Sequence, residues 1–382
     1  MRVLVLGGDG YLGWPTSMHL SSHGHEVAIV DNYLRRRIMR EEDVEPILVP
    51  PNLQQRLCAW KEKSGHDLKL YVGDLNEWNF IAHVFQEFQP DAIVHYAEQP
   101  SAPYSMLNRN AAMLTLNNNI NVTANVIFAT REFCPDAHIV KLGTMGEYGT
   151  PNIDIEEGWL DIDHNGRHEK FLYPRQAGSL YHTSKIMDTD LLWYYVRMWG
   201  LRVTDLMQGP VYGLFTDESA EDEELLTLFS YDELFGTVLN RFMVQAVAGY
   251  PLTIYGKGGQ TRGYLNIKDT LACVRLSLEK PAAQGELRIF NQFTETFSVN
   301  DLAAMVSEAG KAMDLQVEVQ KLENPRKELE EHYYNPKHTG LLELGLQPHK
   351  LTQDELIRLM RFIHNKAEHI HRHKIFRGTK WA

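Results

Sequence analysis

The sequence predicts an α/β fold, a doubly wound parallel (Rossmann) sheet with a second, smaller α/β lobe. Short apolar segments alternate with amphipathic helical segments through the first half of the 382 residues. A glycine-rich turn follows the first apolar segment, and the alternation loosens after about Gly213. Strands that alternate with helices form right-handed crossovers and a parallel sheet. We expect a first domain at 1–210 and a second lobe at 211–382, interleaved with the first domain around 240–275.

The predicted strands are short apolar segments of the kind that a parallel sheet buries on both faces. They lie at Val3–Leu6, Val27–Val30, Leu68–Val72, Ala92–His95 and Ile139–Leu142. Between and after them, apolar residues recur with helical spacing. The predicted helices lie at Leu12–His23, Trp78–Phe88, Ala111–Phe133, Tyr181–Trp199, Phe235–Ala248, Val299–Lys311 and Gln353–Lys366. The acidic segment Thr216–Glu224 is predicted to be a mobile loop.

Composition excludes several classes of function. A net charge of −12 argues against non-specific nucleic-acid binding, which needs a basic surface. The three cysteines, Cys58, Cys134 and Cys273, form no CxxC pair, so neither a disulfide framework nor a zinc site is predicted. No signal-peptide pattern and no apolar run of ~18 residues is present. We therefore expect a cytoplasmic protein with no nucleic-acid or membrane partner.

Histidines are concentrated near the end of the sequence. They are His364, His369, His371 and His373. A solvated helix end explains them as well as a metal site does. We predict no metal site.

The turn after the first strand has the pattern of a dinucleotide site. Gly7, Gly10 and Gly13 give G-x-x-G-x-x-G between a strand and a helix. Glycine allows the tight turn and the close approach of a pyrophosphate, which then lies on the N-terminal N–H groups of the helix. Tyr11 and Leu12, inside the turn, are predicted cofactor contacts. An ordinary tight turn is the alternative.

The residues after the second strand indicate which dinucleotide is bound. Asp31 ends that strand, where a carboxylate accepts hydrogen bonds from the adenosine ribose and repels a 2′-phosphate. NAD is therefore predicted, with 1–210 as its domain and Asn32 as a further contact. Arg35 and Arg36 follow closely, and arginines here can also accommodate the 2′-phosphate of NADP.

The third strand ends near two further predicted cofactor residues, Asp74 and Leu75. This is where such folds cover the adenine. For Asp74, a structural role as a cap of the strand end is the alternative.

A Y-x-x-x-K pattern predicts hydride-transfer chemistry. Tyr181 and Lys185 are four residues apart, so both side chains lie on one face of a helix. The lysine lowers the pKa of the tyrosine and anchors the nicotinamide ribose, and the tyrosine exchanges a proton with a sugar hydroxyl. Thr144 ends the fifth strand and faces the crevice where ligands bind, so it completes a predicted triad.

Several long strings resemble the UDP-sulfoquinovose synthase family of extended short-chain dehydrogenases. They are GGDGY at 7–11, SAPYS at 101–105, KLGTMGEYGTPNIDIEEG at 141–158, YGKGGQTRGY at 255–264 and NQFTE at 291–295. The resemblance covers nearly the whole chain. It implies an enzyme that converts UDP-glucose and sulfite, or sulfite from a donor protein, to UDP-sulfoquinovose. It also implies a homodimer formed through the helices at 111–133 and 181–199.

The resemblance implies a reaction cycle that returns NAD to its starting state. C4 of glucose is oxidised, water is lost across C5–C6, sulfite adds to C6 and the hydride returns to C4. Elimination needs an acid and a base beyond the triad. Hexose dehydratases place an Asp-Glu pair after the threonine, whereas this sequence has Met145, Gly146 and Glu147.

Three residues are candidates for the elimination step. They are Glu147, His182 and Glu98. Glu147 could instead cap backbone N–H groups, and His182 could be a packing residue. The family often carries an arginine before the SAPYS string, whereas this sequence has Pro100, so no arginine contact is predicted there.

The resemblance assigns the UDP-sugar contacts mainly to the second lobe. Arg262 and Arg326 match family positions that contact the diphosphate, for which the arginine fork is suited. The remaining predicted substrate residues are Gln99, Ser101, Thr144, Gln208, Val211, Tyr255 and Gln260. Asn119 is predicted to bond backbone near the cofactor.

Two other functions share parts of this pattern. A UDP-hexose 4-epimerase or 4,6-dehydratase would use the same triad and arginines, but the Thr-Met-Gly-Glu string lacks the acid pair of dehydratases. A dinucleotide sensor without catalysis is the second alternative, since a fold does not fix a function. The intact triad argues against it.

Overall fold

A computed structural model describes residues 1–220, 222–323 and 333–375. Its strands are β1 (Arg2–Leu6), β2 (Glu26–Asp31), β3 (Leu68–Val72), β4 (Ala92–His95), β5 (His138–Thr144), β6 (Trp159–His164), β7 (Arg167–Leu172), β8 (Arg202–Gln208), β9 (Val211–Tyr212), β10 (Leu252–Tyr255), β11 (Thr261–Asn266), β12 (Leu287–Gln292), β13 (Glu295–Ser298) and β14 (Val319–Leu322). Its helices are α1 (Gly13–Ser22), α2 (Leu34–Glu41), α3 (Leu53–Ser64), α4 (Trp78–Phe88), α5 (Ala102–Ser105), α6 (Arg109–Phe133), α7 (Leu180–Trp199), α8 (Val238–Val247), α9 (Ile267–Glu279), α10 (Val299–Lys311), α11 (Gly340–Glu343), α12 (Gln353–Asn365) and α13 (Arg372–Ile375). No helix among these residues is both long and apolar enough to span a bilayer.

The central sheet has seven strands in the order β12-β8-β5-β4-β1-β2-β3. Each neighbouring pair is parallel. The strand order reverses between β1 and β4, and ligands of such sheets bind in the crevice outside the carboxyl ends at this point. The glycine turn follows β1 and Glu98 follows β4, so the topology places both at one crevice.

The sheet is held by apolar side chains on both faces. One core cluster lies between the sheet and α4, α6 and α7, and it includes Phe85, Val126 and Leu192. Another lies between the sheet and α9, and it includes Val5 and Val274. Burial on both faces explains the continuous apolar runs of β1, β2 and β4. The prediction of burial on both faces is wrong for β3, which lies at the edge of the sheet and leaves Lys69 and Val72 exposed.

The second lobe has its own apolar core. Residues from α8, α10 and α12 pack together, among them Phe242, Leu302 and Leu359. Its strands form a three-stranded sheet in the order β13-β11-β9 and a parallel pair of β10 with β14. The doubly wound fold with a smaller α/β lobe is thus confirmed.

The chain returns to the first domain through α9 and β12. The β12 strand is the edge of the seven-stranded sheet and pairs with β8 from Leu287 to Gln292. This return occupies 267–292, which overlaps only the end of the 240–275 interval expected from the sequence. Several segments differ from expectation. Strands β6 and β7 form an unpredicted antiparallel hairpin, and helices α2, α3 and α9 were not predicted. In the acidic segment, Asp217 and Glu218 contact Lys268 and His19.

Candidate active site

The turn between β1 and α1 lacks room for side chains. Gly7 has a φ of +86°, and a Cβ atom there would lie 2.8 Å from the backbone of Tyr96. A Cβ atom on Gly13 would overlap the carbonyl oxygen of Gly7. Glycine is therefore required at both positions, and α1 begins at Gly13 with its N–H groups open to a ligand. Such a cradle fits a pyrophosphate.

A cleft of about 880 Å³, including its open mouth, extends from this turn across the sheet edge. Its wall contains these predicted cofactor residues: Gly7, Gly10, Tyr11, Leu12, Asp31, Asn32, Arg35, Asp74 and Leu75. Glu98, Pro100 and Leu142 line the end near the catalytic residues. The structure thus brings these nine predicted contacts into one cleft, and Glu98 at its end lies beside Lys185. The other predicted cofactor residues, Arg36, Asn119, Tyr181 and Lys185, are not part of its wall.

Asp31 lies at the adenosine end of the cleft. Its carboxylate accepts hydrogen bonds from the backbone N–H groups of Asp9, at 2.8 Å, and Tyr33, at 2.6 Å. Burial, and then the negative charge of Asp9, raises the pKa of Asp31 to about 6. A carboxylate fixed at the end of β2 fits the ribose hydroxyls of NAD.

The two arginines after Asp31 lie in different surroundings. Arg36 binds Asp9 through two bonds of 2.5 and 2.8 Å and donates to the carbonyls of Pro50 and Pro51. It is absent from the wall of the cleft, so its predicted cofactor contact is not supported by the packing. Arg35 does line the cleft, and it donates to Ser230 Oγ at 3.1 Å.

Asp74 is both part of the cleft wall and a local cap. Its Oδ1 accepts from the backbone and the side-chain amide of Asn76, each at 2.9 Å. The structural alternative for Asp74 is therefore present in the molecule. Its contact with a cofactor stays a prediction.

The Tyr181–Lys185 pair lies in the first turns of α7. Ser179 caps this helix, and Lys185 Nζ lies 5.9 Å from the centroid of the Tyr181 ring. Lys185 Nζ donates to the carbonyl of Leu142 at 2.5 Å and lies 2.6 Å from Glu98 Oε2. Burial raises the pKa of the Tyr181 hydroxyl, and the nearby charge of Glu98 raises it further. The positive charge of Lys141 acts in the opposite direction and lowers this pKa.

His182 lies directly over the end of β5. A Cβ atom on Gly146 would overlap His182 Nε2, so the imidazole can occupy this place only because residue 146 is glycine. His182 Nδ1 lies 3.1 Å from Ser179 Oγ, and Thr144 Oγ1 accepts from the N–H of Gly146. This packing joins Thr144 to the helix that carries Tyr181.

Glu147 is fully buried below the cleft. Its Oε1 accepts from the N–H of Thr144 at 3.1 Å, which is the capping alternative left open by the sequence. Lys141 Nζ lies 3.7 Å and Arg175 Nη1 3.5 Å from its carboxylate. Burial raises the pKa of Glu147. The role of Glu147 as an elimination acid stays a prediction, and this packing argues against it.

Asn119 connects α6 to the loop after β4. Its Oδ1 accepts from the N–H of Gln99 at 2.8 Å, and its Nδ2 donates to Ser184 Oγ at 3.0 Å. The Gln99 side chain is buried and bonds Ser101 and Thr115. Ser101 Oγ donates to the carbonyl of Leu234 at 2.5 Å. The described bonds of Gln99 and Ser101 therefore hold this loop in place, and a substrate contact for them stays a prediction.

The predicted substrate residues of the second half lie on or beside strands of three different sheets. Gln208 ends β8 and donates to Gln292 Oε1 at 3.0 Å, while Val211 is buried. Gln260 and Arg262 flank the start of β11, and Gln260 Nε2 donates to the carbonyl of Tyr255 at 3.3 Å. Arg326 lies outside the described residues.

Two residues near the site were not predicted from the sequence. Arg241 on α8 lies 5.7 Å from the Tyr255 ring centroid, and its Nε and Nη2 atoms are buried with no hydrogen-bond partner among the described residues. The guanidinium also interacts with the Tyr255 hydroxyl, and its two buried nitrogens without such partners fit the oxygens of a diphosphate. Asp188 is completely buried near Lys185, and burial raises its pKa. Arg241 joins the site only through tertiary packing, whereas Asp188 lies three residues after Lys185 on α7, a helical spacing from which it could have been found.

Comparisons with known proteins agree with this geometry. Residues 3–291 match the NAD dependent epimerase/dehydratase family. The chain is 50% identical to UDP-sulfoquinovose synthase, chloroplastic, of Spinacia oleracea, over all of this chain and 79% of that protein. It is 46% identical to UDP-sulfoquinovose synthase of Sulfolobus acidocaldarius, over all of this chain and 98% of that protein.

Solved structures show the same fold at low identity. A UDP-glucose 4-epimerase from Bifidobacterium longum in complex with NAD+ and UDP aligns with a TM-score of 0.71, at 18% identity, over 97% of this chain and 99% of that one. The fold, the site geometry and the two full-length relatives support the same family assignment. The chain belongs to the NAD dependent epimerase/dehydratase family and, within it, to the UDP-sulfoquinovose synthases.

Proposed function

We propose that the protein forms UDP-sulfoquinovose from UDP-glucose and sulfite in the cytoplasm, as a homodimer. The observation that carries the reaction is the combination of Thr144, Tyr181 and Lys185 with an apolar residue after the threonine. Met145 is 6% exposed and belongs to the main core cluster, so its position offers no acid to the site. A dehydratase-type acid pair is therefore replaced by other groups.

NAD is the cofactor of this family, and the glycine turn, Asp31 and Lys185 are the groups that would hold it. When bound, it supplies the acceptor and later the donor of a hydride at C4 of the sugar. Tyr181 takes the proton of the C4 hydroxyl, because Lys185 places a positive charge beside the phenol. Thr144 orients the same hydroxyl from the end of β5.

Loss of the C6 hydroxyl needs an acid, and His182 is the group we assign to it. Ser179 Oγ can donate its hydrogen to His182 Nδ1, which leaves Nε2 as the N–H nitrogen facing Gly146. In the protonated state the ring can donate that proton to the leaving hydroxyl, which departs as water. The C5 proton, acidified by the C4 ketone, goes to a base at the same site.

Sulfite completes the exchange. Its sulfur forms a bond to C6, a proton returns to C5, and the net change replaces one hydroxyl by a sulfonate with release of one water. The overall charge of −12 repels an anion, so sulfite needs local donors. Pro100 supplies none, which leaves the His182 imidazole and the Lys185 ammonium as nearby groups of suitable charge.

The homodimer is supported by apolar side chains exposed on α6 and α7. They are Met113, Phe128, Met187, Tyr194 and Met198, each at least 39% exposed. The two helices pack side by side, with Phe128 against Tyr195 at 5.5 Å between ring centroids. Exposed apolar side chains grouped on adjacent helices are typical of an interface between subunits.

Mass spectrometry of the products tests the proposal. With UDP-glucose and sulfite together, we expect a UDP-sugar that has gained a sulfonate in place of a hydroxyl. With UDP-glucose alone, no sulfonate can form, and water should be lost only reversibly. A UDP-hexose of unchanged mass but epimeric at C4, in the presence of sulfite, would instead show a 4-epimerase. Light scattering checks the proposed dimer.

A further inference from the structure

Three side chains able to bind a metal meet at the C-terminal end of α1, opposite the end that carries the glycine turn. They are His19, His23 and Glu218, and one ligand atom from each lies within 4.8 Å of the others. The centroids of the two imidazole rings are 4.2 Å apart. His19 and Glu218 are 199 positions apart in the sequence, so the cluster exists only in the folded chain.

The hydrogen bonds of the two histidines leave ring nitrogens available. His19 Nδ1 lies 2.7 Å from Glu218 Oε1, and a carboxylate only accepts, so Nδ1 carries the hydrogen and Nε2 keeps its lone pair. His23 Nδ1 lies 2.7 Å from the carbonyl oxygen of His19, and the same argument leaves the lone pair of its Nε2 free. Neutral imidazoles with this pattern are metal ligands.

Two atoms of the cluster are buried without a hydrogen-bond partner among the described residues. They are His19 Nε2 and Glu218 Oε2. The Glu218 side chain is only 7% exposed, and that of His19 14%. A buried carboxylate oxygen without a donor is unfavourable, and a bound cation would satisfy it.

The donor set indicates which cation fits. Two imidazoles and one carboxylate suit Zn²⁺ or a similar transition metal, whereas Mg²⁺ and Ca²⁺ prefer oxygen ligands. Histidines four residues apart on a helix lie on one face and can share an ion. Bonds of about 2.0–2.1 Å in a tetrahedral site place ligands ~3.3 Å apart. The three side chains, whose ligand atoms lie within 4.8 Å of one another, would close around the ion, and Glu218 would turn toward it from His19 Nδ1. The exposed side of His23 leaves the fourth position to water.

We propose that His19, His23 and Glu218 form a zinc-type metal site that fastens the segment 216–227 to α1. This segment already contacts α1 and the glycine turn. Trp14 Nε1 donates to the carbonyl of Leu225 at 2.8 Å, and Thr227 Oγ1 donates to that of Tyr11 at 2.7 Å. An ion shared by Glu218 and the two histidines reinforces the existing contact between Glu218 and His19 at the start of the segment, so metal binding stabilises the folded protein.

Calorimetric titration of the chelator-treated, full-length protein with zinc chloride tests the site, together with thermal unfolding. We expect one zinc ion more in the wild type than in His23→Ala, whose side chain is exposed and outside the apolar core. At about 100 times the dissociation constant, the melting temperature should rise by about 3 °C in the wild type and not in His23→Ala. His83→Ala, an exposed histidine of α4, and a triple alanine variant of His369, His371 and His373 should keep the rise. Equal zinc binding by wild type and His23→Ala, or an equal rise with magnesium chloride, would show that His19 and Glu218 form only an ion pair.

Discussion

The Nζ atom of Lys185 lies 2.6 Å from a carboxylate oxygen of Glu98, and both side chains are at most 3% exposed. A second contact, to the carbonyl of Leu142, fixes the ammonium from the other side. The lysine of the triad is therefore oriented by the protein before any ligand binds. Glu98 follows β4 at the strand-order reversal, so the sheet topology places the partner of the catalytic lysine at this crevice.

Replacing Glu98 by glutamine should change the pH dependence of the reaction. Burial raises the pKa of Tyr181, and the charge of Glu98 raises it further, so removal of that charge lowers the pKa. The rising limb of kcat/KM, which needs ionised Tyr181, should move to lower pH in Glu98→Gln. Glu98→Asp keeps the charge and serves as the control. A limb that stays in place or moves to higher pH in Glu98→Gln would show that Tyr181 does not sense this carboxylate.

Tyr181→Phe should abolish turnover and leave UDP-glucose binding nearly unchanged. The phenol takes part in the chemical step, whereas the predicted nucleotide contacts lie on other residues. Rates and calorimetric affinities measure the two effects separately. Tyr194→Phe, on the same helix but exposed, is the control. A Tyr181→Phe rate above about a tenth of wild type, a difference of only ~1.4 kcal/mol, would contradict the assigned role.

Cofactor choice should depend on Asp31 and not on Arg36. NAD should co-purify with the wild type, because the cycle never requires its release. Asp31→Asn should weaken NAD binding by ~1.5–3 kcal/mol, the value of a hydrogen bond to a charged group. Arg36→Ala should leave the preference for NAD over NADP intact, since Asp9 and two carbonyls engage that guanidinium. Chromatography of the extracted dinucleotide measures the outcome, and wild-type protein that yields NADP would contradict it.

The same carboxylate predicts a pH dependence of NAD binding. The pKa of Asp31 is raised to about 6 by burial and by Asp9, so the group is protonated below that pH. A protonated carboxyl is a poorer acceptor for the ribose hydroxyls. NAD affinity, measured by titration of the apoprotein, should therefore rise with pH through about 6. In Asp31→Asn this rise should disappear; its persistence would assign the titration to another group.

UDP-sugar affinity should fall when the arginines of the second lobe are removed. Arg262→Ala and Arg241→Gln should each cost ~1.5–3 kcal/mol of UDP binding, for loss of a hydrogen bond to a charged phosphate. NAD occupancy should stay at the wild-type level, because neither residue lines the cofactor cleft. Arg275→Gln, on α9, is a matched control. Equal loss of both ligands would indicate a folding defect instead of a lost contact.

His182 and Glu147 should behave differently when replaced. His182→Ala should stop the reaction after oxidation at C4, so that reduced cofactor accumulates and absorbs in the near ultraviolet. Solvent deuterium should still enter C5, because only the acid is missing. Glu147→Gln should mainly lower stability, since Glu147 caps Thr144 and pairs with Lys141 and Arg175 in the interior. If Glu147→Gln is stable and accumulates reduced cofactor, Glu147 and not His182 would be the acid that protonates the leaving C6 hydroxyl.

The sequence predicted those parts of the fold and site that depend on local pattern. Strands β1 and β4 and helices α4 and α7 were found within two residues of their predicted ends, because burial on both faces and helical periodicity leave clear signals. The hairpin of β6 and β7 was missed, since the residues around its turn are mostly polar and exposed and most of its apolar residues, such as Trp159 and Leu172, lie at the open end.

The partners of the site residues were less accessible to sequence reasoning. Glu98 was only one of several candidates, and its pairing with Lys185 arises where the loop after β4 meets α7. The spacing of Glu147 after Thr144 is compatible with a capping role and with a catalytic role. Its burial beside Lys141 and Arg175, which favours the capping role, is seen only in the structure. Contacts between distant positions are decided by tertiary packing.

The position of β12 has a consequence for the order in which the protein folds during synthesis. One edge of β8 remains without a hydrogen-bonding neighbour until residues 287–292 leave the ribosome, about eighty positions after β8 itself. An uncovered strand edge is a template for pairing with other chains. The nascent protein thus passes through a period in which its cofactor domain is incomplete and prone to association, and a chain cut after residue 210 would remain in that state permanently.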